Sequence, residues 1–265
     1  MLSDGDRARF NGHEYPQVIP VPDEIIPGEP APWASIEPAK RSGFTLELVE
    51  QRLRNAGQHL AHHPLPDEPA EMAAVADATS RPITTRSAVL VALFEEAGDV
   101  HLILTRRSFD LRQHRGEIAL PGGRSEPGES PIETAIREAH EEVGLDPRAV
   151  RAVGWLNPIV TFASGSAIWP VVAVLDGRPS LVANPDEVDR AFTVALGHLL
   201  DEDNYAHEQW RRATPRPGAD ADGYFPIYFY RVPGDLIWGA TGRILTELLC
   251  LVTQSPWPDA ERMWA

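Results

Sequence analysis

Gly123–Leu145 reads GRSEPGESPIETAIREAHEEVGL. It fills the pattern G-x(5)-E-x(7)-R-E-U-x-E-E-x-G-U, where U is apolar, with Gly123, Glu129, Arg137, Glu138, Ala139, Glu141, Glu142, Gly144 and Leu145. The spacing predicts a helix over Ser130–Val143. Ser130 caps it, Pro131 suits the first helical position, and Glu133 at the third completes a capping box. Gly144 supplies the left-handed residue that ends such a helix. Within it Glu138, Glu141 and Glu142 are related by i, i+3 and i, i+4, so their carboxylates share one face. Three anions so close repel one another, and Arg137 is the only Lys or Arg in the helix. Hard cations such as Mg²⁺ or Mn²⁺, which favour carboxylate oxygen, would relieve the repulsion. Glu129, one turn before the helix, is placed to add a ligand or a supporting bond. Arg137 is placed to hold Glu129 or one of the three helix carboxylates by a bidentate pair. The plainer reading is a solvated acidic face, and the flanking glycines and Arg137 at these offsets argue against it. Ile136 and Ala139 face the other way, as core positions.

This stretch resembles the Nudix box, the metal-binding signature of hydrolases that split a nucleoside diphosphate linked to another moiety. The match is complete. The resemblance implies an α/β fold, the Nudix α/β/α sandwich around a mixed sheet. It also implies that the Gly123 carbonyl joins Glu138, Glu141 and Glu142 in holding Mg²⁺ or Mn²⁺. One box glutamate would assist deprotonation of the attacking water, with Arg137 and Glu129 in support.

The segment upstream narrows the resemblance. Leu104–Gly123, LTRRSFDLRQHRGEIALPGG, is similar to the signature of the coenzyme A diphosphatase branch, L-L-T-x-R-S-x(3)-R-x(3)-G-x(3)-F-P-G-G. It matches at Leu104, Thr105, Arg107, Ser108, Arg112, Gly116, Pro121, Gly122 and Gly123, and departs at Ile103 and Leu120. RSAVLVAL from Arg86, NPDEVDRAF from Asn184 and IWGATGRILTELL from Ile237 look like the same branch, so the resemblance runs from about Arg86 to Leu249. It implies hydrolysis of coenzyme A or its thioesters to 3′,5′-ADP and 4′-phosphopantetheine. Arg107 and Arg112 lie inside the signature, and Arg106 and Arg115 flank it. All four offer planar donors suited to phosphate. His114 reads as a polar loop residue and Ser108 as a turn residue. Trp169 and Trp238 are weighed as adenine stackers against ordinary core positions, and Glu187 as a catalytic base against a structural role. Two other readings stay open: a Nudix hydrolase of ADP-ribose, a dinucleotide or a damaged nucleotide, and a silent nucleotide-binding module. Against the last, no box glutamate is lost.

Composition sets outer bounds. The 265 residues carry 39 Asp and Glu against 24 Lys and Arg, a net charge of −15. That disfavours nucleic acid or an anionic membrane as partner, both of which need a basic face. The cations are concentrated instead: Arg106–Arg115 holds four arginines against one acid and runs directly into the box. A small anionic substrate would thus meet local arginines and metal; a homodimer is left open. The single cysteine, Cys250, sits in ILTELLCLV, reads as a buried thiol, and precludes an intrachain disulfide. With no long apolar run and no secretory or peroxisomal signal, the expected location is the cytoplasm.

Along the chain, residues 1–43 read as a proline-rich extension, an extended arm that packs Trp33 on the domain or a partner. Residues 44–82 read as a helix (Leu46–Leu60) and a linker with a weak helical patch at Met72. Residues 83–255 form the catalytic domain and 256–265 a tail. His59, His62 and His63 lack carboxylate partners at zinc-site spacing and read as a solvated helix end. Strands are predicted at Ser87–Phe94, Val100–Thr105, Glu117–Leu120, Ala152–Leu156, Ile168–Leu175, Phe192–Leu200 and Tyr224–Val232, with a closing helix at Thr241–Thr253.

Overall fold

Thr85–Glu96 (β2), TRSAVLVALFEE, is fully buried from Leu90 to Phe94. A run apolar on both faces marks a strand covered on both faces, as parallel sheets are, and β2 lies in the middle of a large sheet. The computed structural model describes Gln17 and residues 19–61, 85–161, 166–212 and 222–258. In chain order its other elements are β1 (Glu24–Pro27), α1 (Leu46–Asn55), β3 (Asp99–Arg107), β4 (Ile118–Ala119), β5 (Gly122–Arg124), α2 (Pro131–Val143), β6 (Arg151–Trp155) and β7 (Ile159–Val160). Then come β8 (Ser166–Val174), β9 (Val188–Ala195), α3 (Leu196–Leu199), β10 (Tyr205–Arg211), β11 (Tyr224–Val232), β12 (Asp235–Ile237) and α4 (Gly239–Thr253).

Strand β8 pairs parallel to β2 from Thr85↔Ser166 to Leu93↔Val174. β3 and β5 pair antiparallel to β2, β9 and β4 to β3, and β6 and β7 to β8, which makes the sheet mixed. Its two faces carry separate cores. Ala88, Leu90, Ala92 and Phe94 pack with Ala135, Ala139 and Val143 of α2. Val91 and Leu93 pack with Val49 and Leu53 of α1 and with Ile244, Leu245 and Leu248 of α4. The period of two in the strand thus sends alternate residues to opposite helical layers, and the fold is the expected α/β/α sandwich. A second, antiparallel sheet runs in the order β1-β10-β11-β12. Tyr205, Tyr228 and Tyr230 join it to the large core, while Trp210, Phe225 and Phe229 build a cluster on its other face.

Several expectations need correction. The described part of the proline-rich extension packs Trp33 on the domain, one of the two expected alternatives, but it is more than an arm: Glu24–Pro27 is a strand paired with β10. Trp33 is fully buried, donates its indole N–H to the Leu200 carbonyl at 2.8 Å, and meets Tyr205 edge-on at 5.3 Å. Proline does not prevent docking when the residues between prolines supply the anchors. The predicted strand Phe192–Leu200 stops at Ala195 and becomes a helical turn, because Leu196, Leu199 and Leu200 reach the core at helical spacing. α1 ends at Asn55, and Gly57 in the left-handed region turns the chain toward β6. Strand β10 has no clear sequence signal, because buried His207 and Glu208 interrupt its apolar alternation. His59 packs against the domain, its ring within 3.5 Å of Glu50, while His62, His63 and the patch at Met72 lie outside the described residues. Cys250 is buried as expected. Among the described residues no helix is long and apolar enough to cross a membrane.

Candidate active site

Helix α2 holds its glutamates in a defined register because both ends are closed. Ser130 Oγ accepts from the Glu133 amide at 3.3 Å, and Glu133 Oε2 accepts from the Ser130 amide at 2.8 Å. At the other end Gly144 adopts φ 67°, and its amide bonds the His140 carbonyl at 2.9 Å. The turn Pro121–Gly123 is threaded between β2 and this helix. The Pro121 carbonyl accepts from the Leu90 amide at 2.8 Å, and the Gly122 amide donates to Glu142 Oε2 at 3.1 Å. Gly123 is pressed against Glu138, and a Cβ there would lie 2.5 Å from the Glu138 carboxyl carbon. Only glycine permits that approach. The structure therefore brings together Gly123, Glu138 and Glu142, which the box pattern had grouped.

Arg137 organises the acidic face. Its guanidinium donates to Glu129 at 2.7 and 3.0 Å, to Glu138 at 3.0 Å, to Glu141 at 3.1 Å, and to the Arg124 carbonyl at 3.0 Å. The sequence left open whether Arg137 held Glu129 or a helix carboxylate; it holds all of them but Glu142. The hydrogen bond from Arg137 keeps the Glu129 carboxyl low, at about 2, aided by the Glu126 amide. Glu129 thus sits behind the face as an anion that steadies Arg137. Glu142 lies at the opposite extreme. It is 3 % exposed, and burial pushes its pKa up to about 7, against the pull of the Gly122 amide and of Arg107. Burial also raises Glu138. Glu187, in the loop before β9, faces the same cluster and adds to the upward shift of both. That loop is stitched to the end of α2, with the Asn184 amide on the Glu142 carbonyl at 2.9 Å.

Nudix hydrolases use divalent metal ions, and these residues suit one. Two carboxylates whose charged forms are penalised by burial and by each other gain most from a hard cation. Glu138, Glu142, the more exposed Glu141 and the Gly123 backbone supply oxygen donors only. Among the described residues no three or more acidic, histidine or cysteine side chains are already gathered into a metal cage. Arg137 neutralises Glu138 and Glu141 in its stead.

The four arginines separate. Arg107 reaches the site, with Nη1 3.9 Å from Glu142 Oε1 and its buried Nε without a hydrogen-bond partner. Arg112 and Arg115 lie exposed on the loop between β3 and β4, Arg115 bonded back to the Leu111 carbonyl at 2.7 Å. Arg106 points to the other face of the sheet. It is buried and bonds Asp189 at 2.8 Å and Asp235 at 3.2 Å, so it ties the two sheets together. Alternation along β3 explains the split, since neighbours in a strand face opposite ways. His114 pairs with Glu117 at 2.9 Å, which raises its pKa. Trp169 is buried in the core beneath α2, and Trp238 packs on Trp210 with ring centres 6.4 Å apart.

A glycine backbone pressed on a capped helix of clustered carboxylates, over a mixed sheet between helical layers, defines a hydrolase of the Nudix class. The NUDIX domain model matches residues 84–214. The chain is 31 % identical over 173 residues to Nudix hydrolase 3 of Caenorhabditis elegans, spanning 62 % of this chain and 72 % of the relative. It is 36 % identical over 178 residues to the mitochondrial Nudix hydrolase 15 of Arabidopsis thaliana, spanning 64 % of this chain and 60 % of that longer relative. It is 38 % identical over 179 residues to the peroxisomal coenzyme A diphosphatase NUDT7 of Mus musculus, spanning 65 % and 73 %. The chain belongs to the Nudix family, and it is a hydrolase of pyrophosphate bonds in nucleoside diphosphate derivatives.

Proposed function

We propose that this hydrolase cleaves the diphosphate of coenzyme A or its thioesters, releasing 3′,5′-ADP and 4′-phosphopantetheine or its acyl form, with Mg²⁺ or Mn²⁺ held by Glu138, Glu141, Glu142 and the Gly123 carbonyl. The observation that carries the reading is Arg107: it is fixed by the coenzyme A diphosphatase-like signature, and its guanidinium stands beside Glu142. The mouse relative named as a coenzyme A diphosphatase supports the same substrate. When bound, the metal would neutralise the diphosphate and lower the pKa of a bound water. The chain's own part is to place charge. Arg107 and Arg112 bind phosphate oxygens, Arg137 and Glu129 hold the acidic face, and a box glutamate takes the proton of the attacking water. Arg106, turned away to Asp189 and Asp235, is assigned to the framework, and Arg115 to the loop.

Incubation with coenzyme A and Mg²⁺, followed by chromatography, tests the substrate. Formation of 3′,5′-ADP supports it. Turnover of ADP-ribose or a dinucleotide without turnover of coenzyme A would replace the substrate and leave the family chemistry in place.

A further inference from the structure

His114, a polar loop residue by its sequence, is set apart by its backbone. It holds φ 57°, a left-handed conformation that glycine takes freely and histidine seldom. A glycine would turn the loop more cheaply, so the imidazole is what the turn gains. Its Nδ1 lies 2.9 Å from Glu117 Oε2, while Nε2 makes no hydrogen bond among the described residues and the side chain is 52 % exposed. Glu117 in turn fixes where the ring stands. The Arg107 amide donates to the Glu117 carbonyl at 3.0 Å, and the next pair along is Arg106↔Ile118. Arg106 and Ile118 turn to the sheet face that packs against α1 and α4. The pleat therefore turns Arg107 and Glu117 to the box face, as direct cross-strand neighbours about 5 Å apart at Cβ. Arg107 Nη1 is 3.9 Å from Glu142 Oε1. Glu142, Arg107 and the Glu117–His114 pair thus follow one another away from α2. Charge agrees with this order: Glu117 raises the pKa of His114, and burial and the nearby Arg107 work against it.

We propose that His114 is a catalytic residue whose Nε2–H donates to the departing phosphate of the substrate, with Glu117 as the positioning residue that holds the ring beside Arg107. A diphosphate with one phosphoryl group at the box glutamates places the other over this row. Water attacks the phosphorus at the box, and a box glutamate takes its proton. The bond from that phosphorus to the bridging oxygen breaks, and its electron pair stays on the bridging oxygen of the departing phosphomonoester. The imidazolium meets that growing charge with a hydrogen bond and keeps its proton. Such a donor acts most strongly where charge develops, so it serves kcat more than substrate binding. This deepens the proposed function, and it rests on a diphosphate held at the box, not on coenzyme A in particular.

His114→Gly tests it, because glycine suits the left-handed backbone and thermal melts should match the wild type. The full chain is assayed with Mg²⁺ on coenzyme A, ADP-ribose and diadenosine tetraphosphate in parallel. On whichever is turned over, kcat should fall about 10- to 100-fold, the loss of one charge-assisted contact, with KM little changed. Added imidazole should restore part of the rate in His114→Gly and none in the wild type. Wild-type kcat in His114→Gly, or a loss that imidazole leaves untouched, overturns the proposal. Glu117→Gln keeps an acceptor for the ring but removes the charge that favours the imidazolium, so its loss in kcat should be larger at pH 8 than at pH 6. An equal loss at both overturns the part given to Glu117. The wild type's choice among the three substrates decides the coenzyme A reading, and the ratio of variant to wild type decides this one, so the two failures are distinguishable.

Discussion

The Gly122 amide lies 3.1 Å from Glu142 Oε2, joining the turn before the box to the far end of its helix across 20 positions of sequence. The only other close charge on Glu142 with opposite sign is Arg107 at 3.9 Å among the described residues. Glu142 is therefore oriented by protein and only partly neutralised by it, a state suited to a metal ligand.

Glu142→Gln keeps size and can still accept from Gly122, but removes charge that holds the cation. Metal-assisted stabilisation amounts to several kcal/mol, so kcat should fall by about 10³-fold, at about 1.4 kcal/mol per tenfold. Glu141→Gln is expected to follow the same direction. Glu133→Gln, which touches only the helix cap, should leave kcat nearly unchanged. Equal losses at Glu133 and Glu142 in steady-state assays would contradict the metal face.

Gly123→Ala sets a methyl group against the Glu138 carboxylate. The displaced atoms are the tip of a flexible side chain, so the melting temperature should shift little. The carboxylate must move, however, and metal affinity should drop about 10- to 100-fold, the scale seen when a ligand loses its support. A Mn²⁺ titration followed by electron paramagnetic resonance would measure it; an unchanged affinity would remove Gly123–Glu138 from the site.

Arg107→Ala should lower kcat/KM for coenzyme A by about 10- to 100-fold, the effect of losing one charge-assisted contact of about 1.5–3 kcal/mol. Arg106→Ala should act differently, lowering stability through loss of its buried pairs with Asp189 and Asp235, the latter then held by Arg190 alone, rather than selectively raising KM. Urea melts and kinetics on the two variants separate the roles.

Glu247 gives a pH prediction away from the metal face. It is buried in α4, accepts from the Asn157 amide at 2.9 Å and the Gln58 amide group at 3.4 Å, and burial pushes its pKa up to about 7 from 4.5. The folded state then binds more protons than the unfolded state between about pH 4.5 and 7. Its contribution to stability is best below 4.5, falls as pH rises through that window, and levels off above about 7, by up to about 3 kcal/mol in all. Glu247→Gln should flatten this part of the profile while keeping an acceptor for Asn157. Urea midpoints measured from pH 5 to 8 that fall as steeply in the variant as in the wild type would refute it.

Trp33→Ala should destabilise the whole chain by about 3–5 kcal/mol, the usual cost of deleting a fully buried large aromatic. A urea transition unchanged from wild type would mean that the proline-rich segment is detached.

The sequence and the structure agree most closely where a local rule is self-sufficient. The capping box at Ser130 and Glu133, the left-handed Gly144 and the apolar run of β2 are each decided within a few residues, and each stands as read. The site was legible for the same reason: Glu138, Glu141 and Glu142 share a face through helix geometry alone. What could not be read depends on long-range pairing. Arg106 and Arg107 look alike in sequence, and only the pleat of β3 and the position of Asp235 send them to opposite faces. β10 is half polar because His207 and Glu208 find partners inside the small sheet, which no local pattern announces. The nearness of Glu187 to the box helix comes from the docking of the 184–187 loop and was carried by the family resemblance, not by spacing.

The pairing of β1 with β10 has a practical consequence for anyone dividing this chain. A fragment trimmed to residues 84–214, the span of the domain match, would keep β10 but remove both strands that flank it, β1 and β11. Two bare hydrogen-bonding edges would then border Tyr205 and Trp210, the kind of template that recruits further chains into aggregates. The minimal unit that can stay monodisperse has to begin before Glu24 and run through α4, well outside the limits that similarity alone would draw.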